Sequence, residues 1–92
     1  MTGFRYRRGI RANYDRQGYI YFSCKNIGKA SAEKQKKLKG LCEDAAGVNA
    51  PALWAFLTTD MSWQKVCMDH ELSSATLFRC VKRLYENFPK VL

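Results

Sequence analysis

Between Ser62 and Leu84 the chain reads SWQKVCMDHELSSATLFRCVKRL, and this stretch limits the fold more than any other. Apolar residues fall at Val66, Leu72, Leu77, Val81 and Leu84. That spacing predicts two short helices, about 63–70 and about 74–88, joined by a tight turn. Ser62 and Ser73 stand where each helix would start, because a serine hydroxyl accepts from an amide of the first turn. Cys67 is small and falls where two crossing helices would approach closely. Pro89 disfavours helix at the residue before it and closes the second helix near Phe88.

The same rules organise the middle of the chain. Ser31 caps a helix predicted to reach Ala46, with Gly47 as its stop. Leu38, Leu41, Cys42 and Ala45 make its apolar stripe, and Lys34, Lys36, Lys37 and Lys39 its solvated face. Gly40 weakens that helix or permits close packing. Asn49 caps the next helix, Pro51 sits in its first turn, and the helix ends near Thr59. Leu53, Trp54, Phe56 and Leu57 give it an apolar surface wide enough for burial on two sides.

The first 28 residues read differently. FRYRRGIRA (4–12) alternates imperfectly, and YIYFSC (19–24) is rich in aromatic and β-prone residues. NYDRQG between them has Asn, Asp and Gly in turn-favouring places. The expectation is a β-hairpin with strands near 4–12 and 19–24, packed on the helices because a lone hairpin is marginal in water. A disordered arm over 1–12 is the competing reading. The expected fold class is α+β within one domain, 1–92. It comprises a basic hairpin or arm (1–28), a basic helix (31–47) and a three-helix unit (50–88).

Charge is unevenly spread. The net charge is +8. Residues 1–40 hold eleven basic and two acidic side chains, residues 41–92 five and six, so the halves stand at +9 and −1. A polyanion would meet the N-terminal half first. The four cysteines, Cys24, Cys42, Cys67 and Cys80, show no Cys-x-x-Cys spacing. They read as small buried groups in a reducing compartment. Cys67 and His70, three apart, hint only weakly at a metal pair, and neither a metal nor a cofactor is expected. No apolar run suits a membrane span or a signal peptide, so a cytoplasmic protein without a membrane partner is expected. No Gly-rich phosphate loop, serine-nucleophile motif or His-Glu metal motif is present, so no enzyme is expected.

The run PALWAFLTTDMSWQKVCMDHELSSATLFRCVKRLYENFP resembles the helix-turn-helix proteins of phages and mobile elements. MTGFRYRRGIRANYDRQGYIYF looks like the start of small prophage and conjugative-element proteins of Gram-positive bacteria. The helix-turn-helix needs a core stripe on both helices, an apolar turn residue (Leu72) and a supporting helix (50–59). The chain departs from the pattern at the turn, where Glu71 takes a place often held by a glycine of positive φ, and at His70, where an apolar residue is usual.

The resemblance implies a regulator or recombination accessory factor that binds double-stranded DNA. Arg79 would pair with guanine, Ser74 and Thr76 with phosphate or base edges, and Lys82 and Arg83 with phosphates. Phe78 would touch a thymine methyl or lie in the core. Arg5, Arg7, Arg8 and Arg11, with Lys34 and Lys37, would supply affinity, the arginines as an arm or wing beside the last helix. A homodimer is expected for so short a reader, with Trp54, Trp63, Tyr85 and Phe88 as contact candidates. Two other readings stand beside this one. In one, the chain is a protein-binding inhibitor of a host defence, like anti-CRISPR proteins. In the other, the Arg/aromatic hairpin binds single strands.

Overall fold

Asn13 decides the N-terminal third. Its side-chain oxygen accepts from the Arg16 backbone amide at 2.8 Å, which makes it a helix cap rather than a turn residue. Asp15 follows in the first turn, where a carboxylate opposes the helix dipole. The computed structural model describes residues 6–92 and places the first helix, α1, at Tyr14–Lys25. Gln17, Ile20 and Cys24, three and four apart, form its buried side.

The predicted β-hairpin is therefore corrected. The described residues contain helix and no strand, so the fold is all-helical rather than α+β. Of the expected first strand, residues 6–12 form turns and bends, and residues 4 and 5 lie outside the described residues. The expected second strand lies inside α1. The β preference of Tyr19, Ile20, Tyr21 and Phe22 is weak against a capped helix with buried residues at helical spacing.

The remaining helices follow their caps. α2 spans Ala32–Ala46, capped by Ser31 and ended by Gly47 at φ 56°. α3 spans Ala50–Thr58 and has Pro51 in its first turn. Asn49 precedes it, but its side chain makes no capping hydrogen bond. α4 spans Trp63–His70, with the Ser62 hydroxyl accepting from the Lys65 amide at 3.1 Å. α5 spans Ser74–Glu86, with Ser73 accepting from the Thr76 amide at 3.1 Å. α5 stops two residues before the predicted end, as Pro89 leads one to expect. Glu71, between α4 and α5, adopts φ 55° and ψ 49°. It holds the left-handed conformation that glycine would take without cost.

One core joins the helices. Ile20 and Cys24 from α1, Leu38 and Cys42 from α2, Leu53 and Leu57 from α3, Val66 from α4, and Leu77, Val81 and Leu84 from α5 are all buried. α2 packs on α3 and α5, while α3 also meets α1 and α4. Burial raises the thiols of Cys24 and Cys42 to about 12 each, with Cys42 adding to the rise at Cys24 and the Glu43 carboxylate to that at Cys42, so both stay protonated.

Gln17 is the buried polar residue of this core. Its Oε1 accepts from the Arg7 amide at 2.8 Å, and its Nε2 donates to the carbonyls of Arg7 at 3.0 Å and Ala12 at 3.1 Å. One side chain thus fixes both ends of the segment 7–12 on α1. The tail is fixed from the same helix. The Arg16 guanidinium donates to the carbonyls of Phe88 at 2.7 Å and Lys90 at 3.2 Å, and the Leu92 amide donates to the Tyr19 hydroxyl at 3.0 Å.

Replacing Gln17 with Leu should keep the helix content but cost about 1–3 kcal/mol in urea unfolding, because partly buried amide and carbonyl groups lose their partner. Hydrogen exchange should locate the loss at residues 7–12. Glu71→Gly should have the opposite sign, raising stability by up to about 1 kcal/mol through relief of the left-handed backbone.

Candidate nucleic-acid interface

Three contacts lay the N-terminal segment along α5. At one end, Arg7 Cζ lies 4.9 Å from the Trp63 ring centroid, and Trp63 Nε1 donates to the Ser74 hydroxyl at 2.8 Å. In the middle, a Cβ added to Gly9 would sit 3.6 Å from Phe78 Cζ, and Gly9 has φ 84°. At the other end, the Arg11 amide donates to Glu86 Oε2 at 2.8 Å. Ser74, Phe78, Lys82 and Glu86 are four apart, so they form one stripe of the helix. The segment runs along that stripe from the start of α5 to its end.

This placement sorts the candidate residues. Arg8 and Arg11 are exposed beside α5, and Arg7 is half-buried over Phe56 and Trp63. Arg5 lies outside the described residues. On α5, Ala75, Arg79 and Arg83 are exposed and four apart, forming a ridge next to the covered stripe. Arg79 Nη2 reaches the Thr76 hydroxyl at 3.4 Å, and Arg83 Nη1 reaches the Ala45 carbonyl at 3.5 Å.

The other candidates on α5 are engaged within the chain. Ser74 accepts from Trp63. The Thr76 hydroxyl lies 2.9 Å from that of the capping Ser73. Lys82 pairs with Glu86 at 3.1 Å. Phe78 is half-buried and packs against the core.

Lys34 and Lys37 are not part of this surface. Lys37 Nζ donates to the Leu92 carbonyl at 3.4 Å, so the lysine end of α2 sits by the chain's last residues. Lys34 lies one turn nearer the start of α2, where its backbone amide donates to Ser31. The C-terminal end of α2 is joined to α5 by the bond from Arg83 to the Ala45 carbonyl.

Of the four candidate dimer contacts, two lie within the core and two pack against it. Tyr85 and Phe88 are 4% and 6% exposed, and Trp54 and Trp63 are half-buried against the core cluster. Among the described residues no group of three or more His, Cys, Asp or Glu side chains could hold a metal ion. No helix of the described residues is long and apolar enough to cross a membrane. Neither a protein-family model, nor a curated protein, nor a solved structure matches the chain.

Sequence reasoning missed two residues that shape this surface, Gln17 and Glu86. Both act over ten or more positions, and neither belongs to an apolar repeat. The one local signal was the Asn13 cap, which marks a helix start and so places Gln17 on the helix side that turns inward.

Glu86 gives the segment a pH dependence. The hydrogen bond from the Arg11 amide, and then that from Lys82, hold its carboxyl below the ordinary glutamate range. A lowered value in the folded state means that the contribution is complete above the unfolded value, about 4.3, and is lost as pH falls through the folded one. Amide protection factors at residues 9–12 should therefore fall as the pH drops below about 4.3. Glu86→Gln should remove that dependence, and equal loosening in both proteins would assign the change to another group.

Proposed function

We propose that the chain binds double-stranded DNA, with the exposed ridge of α5 as the selective element and the N-terminal segment as the source of affinity. The observation that carries this reading is the alignment of residues 7–11 along α5. α5 alone is a poor polyanion binder, because Lys82 is paired with Glu86 and the acids Asp69 and Glu71 precede the helix. The segment brings two exposed arginines, Arg8 and Arg11, to the stripe of α5 next to the ridge of Arg79 and Arg83. A helix supplying base contacts, flanked by arginines supplying phosphate contacts, is the division of labour that DNA readers use.

Arg79 is the residue assigned to base reading. It is exposed, lies in the first half of α5 and has no carboxylate partner among the described residues. Its fork matches the two acceptors of guanine. Arg83, Arg8 and Arg11 are assigned to phosphates. A transcription regulator or recombination accessory factor of a mobile element remains the setting this reading favours. The single-strand reading rested on an Arg/aromatic hairpin, and α1 stands in its place.

A second reading has its own observation. Tyr6, Tyr14, Tyr19 and Phe22 are 44%, 62%, 39% and 52% exposed, and Tyr6 stacks on Tyr14 at 6.4 Å. Exposed aromatic side chains near one helix favour a protein partner. This supports the inhibitor reading.

Titrating random duplex, single strand and a selected duplex at several salt concentrations separates the two. Under the DNA reading, Arg79→Ala costs about 1–3 kcal/mol on the selected site and little on random duplex. Changing Arg8 and Arg11 together to Ala lowers the salt slope by about 2 on every duplex. Changing Lys34 and Lys37 to Ala leaves site selection intact. Absence of binding to any of these nucleic acids at low salt would overturn the DNA reading and leave the inhibitor reading.

A further inference from the structure

Val48 is the most exposed large apolar side chain among the described residues, at 95%. It follows Gly47, whose φ of 56° ends α2. An apolar residue just after such a glycine commonly folds back on the last turn of the helix, and Val48 does not. A single exposed valine needs no explanation by itself, but this one stands beside a groove.

The groove has a volume of about 300 Å³ and lies between the C-terminal half of α2 and the start of α3. Cys42, Ala50, Pro51 and Trp54 make its apolar lining. A volume at the low end of small-molecule sites suits one inserted side chain better than a whole ligand. Trp54, one of the four candidate dimer contacts, is half-buried and lines it.

Two charged residues complete the lining, Lys39 and Glu43. They are four apart on α2, the spacing at which Lys65 closes on Asp69 and Lys82 on Glu86, each at 3.1 Å. Lys39 does not close on Glu43, and its Nζ lies 5.6 Å from the Trp54 ring centroid instead. Both residues are exposed, and neither has a salt-bridge partner among the described residues. The groove therefore presents one cation and one carboxylate that its own chain leaves unmatched.

We propose that this face binds a second copy of the chain about a two-fold axis, with Val48 of each copy entering the groove of the other. In such a contact each copy offers the same patch, so the patch must carry both halves of every interaction. This one does. Val48 lies just before Ala50 and Pro51, so knob and hole are side by side. Lys39 of each copy meets Glu43 of the other, which makes two ion pairs from one cation and one carboxylate per chain. That self-complementarity is why the occupant is a copy rather than a different protein. The groove is small, so the dimer is a weak one that forms at high concentration. It does not rest on the DNA reading, although a short reading helix gains a second copy by it.

Sedimentation velocity of the full chain in physiological salt, from micromolar to millimolar concentration, tests this. The mean mass should rise from that of one chain to that of two and stop there. Val48→Asp should hold it at one chain with an unchanged helical circular dichroism spectrum, since so exposed a side chain touches little of its own fold. Lys39→Glu and Glu43→Lys should each weaken association at least threefold, and the two together should restore it, because the pairs are then merely reversed. Lys39→Glu separates this from a general charge effect. It lowers the net charge of +8 and so eases repulsion between copies, yet it is expected to weaken the contact. A single-chain mass at millimolar concentration, a dimer indifferent to Val48→Asp, tighter association of Lys39→Glu, or no restoration in the double variant would overturn the proposal.

Discussion

The side-chain amide of Gln17 is the interaction on which the N-terminal surface depends. Residues 7–12 belong to no helix, so their backbone groups have no regular partners. Gln17 satisfies the amide and carbonyl of Arg7 and the carbonyl of Ala12 from a fully buried position. A buried amide with its donor and acceptor both used adds specificity at little net cost, whereas a half-used one would be expensive. Every later contact of the segment follows from that anchor. Arg7 reaches the rings of Phe56 and Trp63, Gly9 passes Phe78, and Arg11 meets Glu86. A bulkier residue at Gly9 would meet both a positive φ and the Phe78 ring, which is why glycine suits that crossing.

α5 is covered by different partners around its circumference, and this defines what it can present. Leu77, Cys80, Val81, Leu84 and Tyr85 face the core. The N-terminal segment lies along Ser74, Phe78 and Glu86, and α2 approaches on the side of Arg83. The ridge left exposed is narrow and carries Ala75, Arg79 and Arg83. A small residue beside an arginine is a workable contact surface for a groove, because the arginine can extend without being crowded. Glu86 sits under the segment rather than on the ridge, and Lys82 and the Arg11 amide already occupy it. It therefore opposes a polyanion less than its charge alone would suggest.

The four C-terminal helices were legible in the sequence because a capping serine marks the start of three of them and Pro51 in the first turn marks α3, whose expected cap Asn49 makes no capping hydrogen bond. Ser31, Ser62 and Ser73 each accept from the amide three residues on, as their positions before apolar stripes imply. Gly47 ends α2 by taking a positive φ, and Glu71 takes the one left-handed place in the turn between α4 and α5. α1 was not legible, for two physical reasons. A glutamine holds one of its core positions, and Tyr14 and Phe22 face outward, so its apolar residues do not trace a helical stripe. Its aromatic and β-branched residues suit a strand equally well, and the Asn13 cap together with the packing of Ile20 and Cys24 decides between the two. The engagement of Ser74, Thr76 and Lys82 within the chain was equally hidden. It depends on Trp63, on the cap geometry and on Glu86, not on α5 alone.

The charge count needs the same correction in space. Residues 1–40 hold all of the excess positive charge, yet they do not form one surface. The arginines at 8 and 11 lie beside α5, while Lys37 donates to the carbonyl of Leu92, a residue that is itself tied to Tyr19 of α1. A helix of thirteen residues is about 20 Å long, and the Debye length in physiological salt is about 8 Å. A charge more than a Debye length from the start of α5 contributes little to the potential there, whatever the net charge. Affinity at the α5 ridge must come from the few arginines that Gln17 and Glu86 hold there. The position of those two uncharged or acidic side chains matters more to a polyanion than the eleven basic residues counted along the N-terminal half.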